Sequence, residues 1–339
     1  MTNKIIFFLP KKTMNEATVY YVDILKHGFI KAGYSVEETE DLSDLKKINK
    51  IFVMSAKWCF IVKLFNPKAK IVTWFQGLGA EEALMTRNSL VRKRLWNCVE
   101  FFALKFSWIN IYVSERMHNY YQDIYRVKDK NFFIMPCFNK KLNEDAFNLV
   151  DKYDKPSFVY AGGLDKWQCI EETLDIFCQI EKSIPAASLT LLTKDKIKAE
   201  ELIKRYNIKN YKISFVSLNE LDAELMKYKY GFLIRQDHIV NNVSTPTKMN
   251  SYLANGVIPI YTNVIDDFNE NIRKSNYFVM LNAYDTVKTW KETITRFDSS
   301  SSLIDFKGNF LNEVRLVFLT YYNQEKYILN FCDFLKKIG

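Results

Sequence analysis

Short apolar runs, β-branched or aromatic, alternate with helix-length stretches along almost the whole chain, and this alternation constrains the fold more than any other feature. KIIFFLP (4–10), KIFVMSA (50–56), KIVTWFQG (70–77), INIYVS (109–114) and NFFIMP (131–136) read as buried strands. Helical spacing fills the gaps, beginning with a helix from about Asn15 to Ala32. Strand–helix alternation predicts an α/β, mainly parallel, doubly wound sheet. Between about Asn139 and Pro156 the sequence turns polar, NKKLNEDAFNLVDKYDKP, which predicts a linker. The alternation then restarts with SFVYAGG (157–163), SLTLLTK (188–194), YKISFVS (211–217), YGFLIRQ (230–236), GVIPIYT (256–262) and NYFVML (276–281). Two doubly wound domains follow, residues 1–145 and 155–317, and the segment from Gly308 reads as one long or two consecutive helices. Ligands of such sheets bind beyond the carboxyl ends of the strands, so two domains facing across a cleft are expected to form one two-substrate site.

The 339 residues leave room for two cores, and 48% hydrophobic content fits a globular chain. The net charge of +9 is unevenly placed: residues 1–150 carry 23 Lys and Arg against 15 Asp and Glu, an excess of eight, and the remainder an excess of one. That balance suits an anionic partner such as membrane headgroups or a lipid diphosphate. No helix-turn-helix, zinc-finger or RNP-like run appears, so no nucleic-acid partner is expected. The six cysteines are scattered without a CxxC pair, as free thiols of a cytoplasmic protein would be. No run of about 20 apolar residues indicates a spanning helix, and the first apolar run is too short for a signal peptide.

The stretch STPTKMNSYLANGVIPIYTN (244–263) carries the most specific chemistry. Ser244 or Thr245 is placed to cap a helix, with Pro246 in its first turn and Gly256 at its end. Lys248 in the first turn opposes the helix dipole, which makes sense where an anion occupies that end. Just upstream, Arg235, Asp237 and His238 follow a strand. A diphosphate is the ligand these residues point to, against the plainer reading of a capped helix with a solvated lysine.

FLIRQDHIVNNVSTPTKMNSYLANGVIPIYTN resembles the nucleotide-sugar-binding segment of bacterial GT-B glycosyltransferases, the family 4-like group of O-antigen and capsular polysaccharide synthesis. FVYAGGLDKWQCIEE (158–172) resembles the first strand and Gly-Gly turn of that family's C-terminal domain. VTWFQGLGAEEA (72–83) is similar to its acceptor-facing Trp-x-Gln-Gly motif. The resemblance implies a GT-B fold of two Rossmann-like domains. The N-terminal one binds acceptor and is joined by a returning C-terminal helix (about 318–339), while the C-terminal one binds the nucleotide-sugar. It implies transfer of a sugar from a nucleotide-diphosphate donor to a glycan or polyprenyl-diphosphate-linked acceptor, with retention of configuration. The chain departs from the pattern where the wider family carries two Glu: those registers hold Val243 and Ser251. The basic registers around the Gly-Gly turn hold Gly163 and Gln168, with Lys166 nearby.

A leaving diphosphate needs fixed positive charge, and Arg235 and Lys248 are the candidates to supply it without a metal. No Asp-x-Asp pair follows a strand, so no metal ligands and no cofactor beyond the donor substrate are expected. Gly162, Gly163, Lys166, Asp237, His238, Ser244, Thr245, Thr247 and Ser251 complete the candidate donor site. Gln76, Gly77 and Glu82 are the candidate acceptor contacts. Glu81, Glu82 and His118 are candidate side-chain bases, which an inverting reaction requires. Residues 87–109 combine Arg87, Arg92, Lys93 and Arg94 with Trp96, Phe101, Phe102, Phe106 and Trp108. Such a helix suits peripheral contact with the anionic inner face of a cell membrane, or a core helix with a basic outer side. The lost Glu pair leaves a second functional class open, a non-catalytic GT-B subunit that binds an active partner.

Overall fold

Every apolar run read as a strand forms one, because a strand of a parallel sheet is buried on both faces and its sequence shows it. The computed structural model describes residues 3–14, 16–272, 275–300 and 306–338. The first sheet contains β1 (Lys4–Phe8), β2 (Ser35–Thr39), β3 (Lys50–Val53), β4 (Lys70–Phe75), β5 (Ile109–Tyr112) and β6 (Phe132–Ile134), in the order β2-β1-β3-β4-β5-β6. The second contains β7 (Ser157–Ala161), β8 (Ser188–Leu192), β9 (Tyr211–Ser214), β10 (Tyr230–Leu233), β11 (Ile258–Thr262) and β12 (Val279–Leu281), in the order β12-β11-β10-β7-β8-β9. All described pairings are parallel. The sequence reading lacks only β2. Its residues, SVEET, are exposed or half-exposed throughout, as befits an edge strand, and so form no apolar run.

The chain divides into two compact units: Met1–Asn139 with Val243–Thr245 and Asn323–Gly339, and Lys140–Asn242 with Pro246–Tyr322. All but Asn139 of the stretch expected to be a linker belongs to the second unit. Asn250 accepts the Lys140 N–H at 2.8 Å and donates to its carbonyl at 3.2 Å, and the Asn143 N–H donates to the Ala254 carbonyl. Lys152, 5% exposed, donates to the carbonyls of Asn255 at 2.5 Å and Ala146 at 2.9 Å. Burial lowers the pKa of this ammonium to about 7. The main chain of Lys140 and Asn143 thus meets the helix Thr247–Ala254, and Lys152 meets Asn255 just beyond it.

In the second sheet, β7 lies between β8 and β10, so the chain leaves it toward one side and returns on the other. That reversal opens a crevice at the carboxyl ends of β7 and β10.

The C-terminal segment forms two helices, Phe306–Thr320 and Gln324–Ile338, and only the second belongs to the first unit. The expected returning helix is thus shorter than 318–339, and Gly339 lies outside the described residues, as does Asn15 at the expected start of the first helix. The last helix packs on Glu16–Lys31. Phe331 is fully buried, edge-on to Phe29 at 5.1 Å, and approaches so closely that a Cβ on Gly28 would lie 2.6 Å from its ring. Phe331→Ala is expected to destabilise the protein by about 3–5 kcal/mol, read by urea denaturation. A loss below about 1 kcal/mol would mean that this helix is not fastened through Phe331.

Candidate functional site

The two residues that close the crevice come from the helix Thr247–Ala254. β7 and β10 pair through Tyr230↔Phe158 and Gly231↔Val159. Beyond these, the Tyr252 hydroxyl accepts the Ala161 N–H and donates to the Phe232 carbonyl, both at 3.2 Å, so a side chain continues the ladder. One turn earlier on the same helix, Lys248 reaches the Gly162 turn. Gly162 has φ +148°, and a Cβ there would lie 2.8 Å from Lys248 Cε, so this turn requires glycine.

Arg235 follows β10 and is 3% exposed. Its main chain is clamped to Thr262, whose hydroxyl accepts the Arg235 N–H at 2.9 Å and donates to the Arg235 carbonyl at 2.7 Å. Its guanidinium donates to the carbonyls of Ile234 (2.9 Å) and Gln168 (3.1 Å) and to Gln168 Oε1 (2.7 Å). Lys248 Nζ donates to the same Gln168 Oε1, and to the Tyr160 hydroxyl at 3.4 Å, and sits 4.5 Å from the Tyr160 ring centroid. Neither cation has a carboxylate partner among the described residues. Burial, and then the Arg235 charge, hold the Lys248 pKa well below its ordinary value. Burial also lowers that of Arg235. The two cations converge without an ion-pair partner among the described residues, and the carboxylate acting on Lys248 is that of the exposed Asp165.

The start of that helix differs from the sequence expectation. Pro246 is its N-cap, with no side-chain cap, and Ser244 and Thr245 belong to the first unit. The Thr245 hydroxyl accepts the Cys137 N–H at 3.0 Å instead. The N–H groups of Thr247 and Lys248 make no bond among the described residues, which leaves two donors at the helix start.

The other donor-site candidates are more dispersed. Gly163, exposed, accepts the Tyr160 hydroxyl on its carbonyl. Lys166 is exposed on the single 3-10 turn Lys166–Gln168 and makes no bond to the Arg235 cluster. Asp237, exposed, accepts from Tyr284 and from Asn242 at 2.9 Å, and the Tyr284 hydrogen bond lowers its pKa. His238 Nδ1 accepts the Val240 N–H at 3.2 Å, which caps the short helix Ile239–Asn242. Ser251 is 6% exposed on the Lys248 helix. Gln168, Tyr160 and Tyr252 were not chosen from the sequence as site residues, because only the fold brings them to the two cations.

In the first unit, Gln76, Gly77 and Glu82 sit where β4 turns into the helix Gly79–Arg87. The turn hangs from a buried carboxyl. Glu100, 2% exposed, accepts the Ala80 N–H at 3.2 Å and the hydroxyls of Tyr125 (2.6 Å) and Tyr121 (3.3 Å), while Tyr121 donates to the Gly77 carbonyl at 3.1 Å. Burial raises the Glu100 pKa to about 7. Glu82 is half-buried, and burial raises its pKa too. It makes no ion pair among the described residues. Glu81 is bound by Lys93 at 2.7 Å and by the Tyr120 hydroxyl at 2.7 Å. His118 stacks on Phe132 at 3.9 Å, lies 4.0 Å from Asp129, and has its pKa lowered by burial. Neither Glu81 nor Glu82 is among its described partners.

No protein-family profile matches the chain, and no protein of curated function matches its sequence. Solved structures do match it in fold. Sucrose-phosphate synthase from Thermosynechococcus elongatus superposes with a TM-score of 0.71 at 14% identity, over 100% of this chain and 99% of that one. Anabaena HepE, solved with UDP-glucose, gives 0.71 at 10% identity, over 98% and 99%. S. aureus TarM gives 0.63 at 9% identity, over 84% of this chain and 54% of that one. The fold is GT-B, two parallel six-stranded sheets with flanking helices.

Glu100 keeps its proton in the folded protein between about pH 4.5 and 7, where the unfolded chain has lost it. Its burial is therefore without penalty below the unfolded value, opposes folding increasingly as pH rises from about 4.5 to 7, and by a constant amount above that. The shift corresponds to about 3 kcal/mol. Glu100→Gln is expected to remove that component, so that the stability difference between variant and wild type changes in the variant's favour from pH 5 to 8. Parallel pH–stability curves would show that Glu100 is already ionised when folded.

Proposed function

We propose that this chain is a glycosyltransferase that moves a sugar from a nucleotide-diphosphate donor to a glycan or lipid-linked acceptor. The observation that carries the reading is the convergence of Arg235 and Lys248, unpaired by any described carboxylate, at the crevice between β7 and β10. In this reading the two cations and the free N–H groups of Thr247 and Lys248 stabilise charge on the departing diphosphate without a metal. Gly162 lets the donor approach the main chain, with Gly163, Lys166, Asp237, His238 and Ser251 around it. Gln76, Gly77 and Glu82 meet the acceptor. Glu81 is engaged by Lys93 and His118 stacks on Phe132, which leaves Glu82 as the base an inverting reaction would use; the resemblance instead favours a retaining reaction in which the leaving phosphate takes the acceptor proton. The setting is bacterial surface polysaccharide synthesis of the O-antigen or capsule kind, in the cytoplasm.

The acceptor reading extends to a membrane surface. No described helix is long and apolar enough to cross a membrane. The helix Leu90–Phe106 nevertheless exposes Leu90 (64%), Val91 (68%) and Leu95 (63%) beside exposed Arg92 and Arg94, with Phe101, Lys105 and Phe106 exposed further along. Its one acid, Glu100, is buried, so the outer face is apolar and basic. That combination fits an anionic lipid surface. Trp96, Phe102 and Trp108 are half-buried and contribute less than the sequence suggests. Vesicles rich in phosphatidylglycerol should sediment the wild type, phosphatidylcholine vesicles should not, and Leu90→Glu/Leu95→Glu should lose binding. Equal binding to both lipids would remove the electrostatic basis.

A second reading is a non-catalytic subunit. Val243 is 1% exposed and Ser251 6%, and neither supplies the carboxylate the family uses. A thermal-shift screen with UDP-, GDP-, CMP- and dTDP-sugars, with and without EDTA, separates the two. Ligand at 100 times Kd stabilises the native state by about 2.7 kcal/mol. The transferase reading expects an EDTA-insensitive shift with one nucleotide, lost in Arg235→Ala and Lys248→Ala. No shift in a folded sample would favour the subunit.

A further inference from the structure

We propose that the Gln168 carboxamide is an internal stand-in for a phosphoryl oxygen, holding the Arg235–Lys248 pair until a diphosphate displaces it. This deepens the donor-site reading above and rests on it for the identity of the anion.

Both cations donate to one neutral oxygen, Gln168 Oε1, Arg235 at 2.7 Å and Lys248 more closely still. An oxygen shared by a guanidinium and an ammonium is the place a phosphate oxygen takes in a charge-assisted site. An amide oxygen carries only a partial charge, so it offsets little of the repulsion between the two cations. The carboxamide is otherwise uncommitted: its Nε2 donates to nothing among the described residues. Its release leaves the main chain in place, because Arg235 separately binds the Gln168 carbonyl at 3.1 Å. Gln168 also ends a single 3-10 turn, preceded by exposed Asp165 and Lys166 and followed by Cys169 in the left-handed region at φ +51°. The side chain thus needs only a rotamer change to leave. No covalent step is involved, only the exchange of one acceptor oxygen for another.

The test is calorimetric titration of the full chain with inorganic pyrophosphate. Gln168→Ala removes the competitor and is expected to bind about tenfold more tightly than wild type, the size of one hydrogen bond to a charged group. Gln168→Glu supplies a permanent counter-charge. It is expected to bind at least about a hundredfold more weakly and to melt at a higher temperature without ligand. Tighter binding by Gln168→Ala together with loss in Gln168→Glu would establish the exchange. Weaker or unchanged binding by Gln168→Ala, in a sample with wild-type circular dichroism, would overturn it and make Gln168 a group that positions the cations. Should Gln168→Ala not fold, wild-type affinity in Gln168→Glu would overturn it equally. If pyrophosphate behaves as expected but no nucleotide-sugar binds, the exchange stands and the transferase reading falls. If neither wild type nor Gln168→Ala binds pyrophosphate, both fall.

Discussion

The Tyr252 hydroxyl bridges the two strands that diverge at the crevice, and the geometry of the donor-side residues follows from that bridge. Where the strand order reverses, β7 and β10 leave main-chain groups without a neighbour, and buried groups of this kind need partners. Tyr252 satisfies one from each strand. It also fixes the helix Thr247–Ala254 from the sheet side, while Asn250 and Lys152 fix it from segment 140–152. With its helix held from both sides, Lys248 cannot retreat far from Gly162 and Arg235. The site is therefore preorganised by hydrogen bonds that involve no ligand.

That preorganisation holds two like charges together, which opposes folding unless something compensates. The described partners are all neutral: two carbonyls, one carboxamide and one phenol. Such an arrangement makes sense where the missing charge arrives with a ligand. The first unit shows the opposite chemistry around β4. Glu100 and Glu82 are carboxyls with raised pKa and no ion-pair partner among the described residues, and Glu81 has Lys93. Positive charge is concentrated in one unit's candidate site and carboxyl groups in the other's.

The strands were legible because burial on both faces writes apolar runs into the sequence, and β2 was missed because an edge strand need not be apolar. The errors elsewhere share one cause: polar residues whose partners lie far along the chain. Thr245 has the composition of a helix cap, but its hydroxyl serves Cys137, 108 residues away. Segment 139–156 has the composition of a linker, but the Lys140 main chain binds Asn250 and the Lys152 ammonium binds the Asn255 carbonyl, each more than 100 residues on. Arg235 and Lys248 could be picked out as a pair because strand ends and helix starts have sequence signatures. Gln168 showed only as a departure from a basic register, and its contact with both cations required the fold.

The two departures at Val243 and Ser251 agree with their surroundings. The Val243 carbonyl accepts the Ser114 hydroxyl at 2.7 Å, and its side chain is buried, so a carboxylate there would lose solvation. Ser251 lies in a helix whose residues from Met249 to Ala254 are all buried. On the proposed reading, Ser251 in place of the second Glu gives up a bidentate hold on a ribose. On that reading, donor affinity then rests chiefly on the diphosphate, through Arg235, Lys248 and the helix start. Such a site discriminates weakly between nucleotides and strongly between anions of different charge. Its occupancy is consequently governed by how readily the neutral oxygen of Gln168 gives way to a charged one.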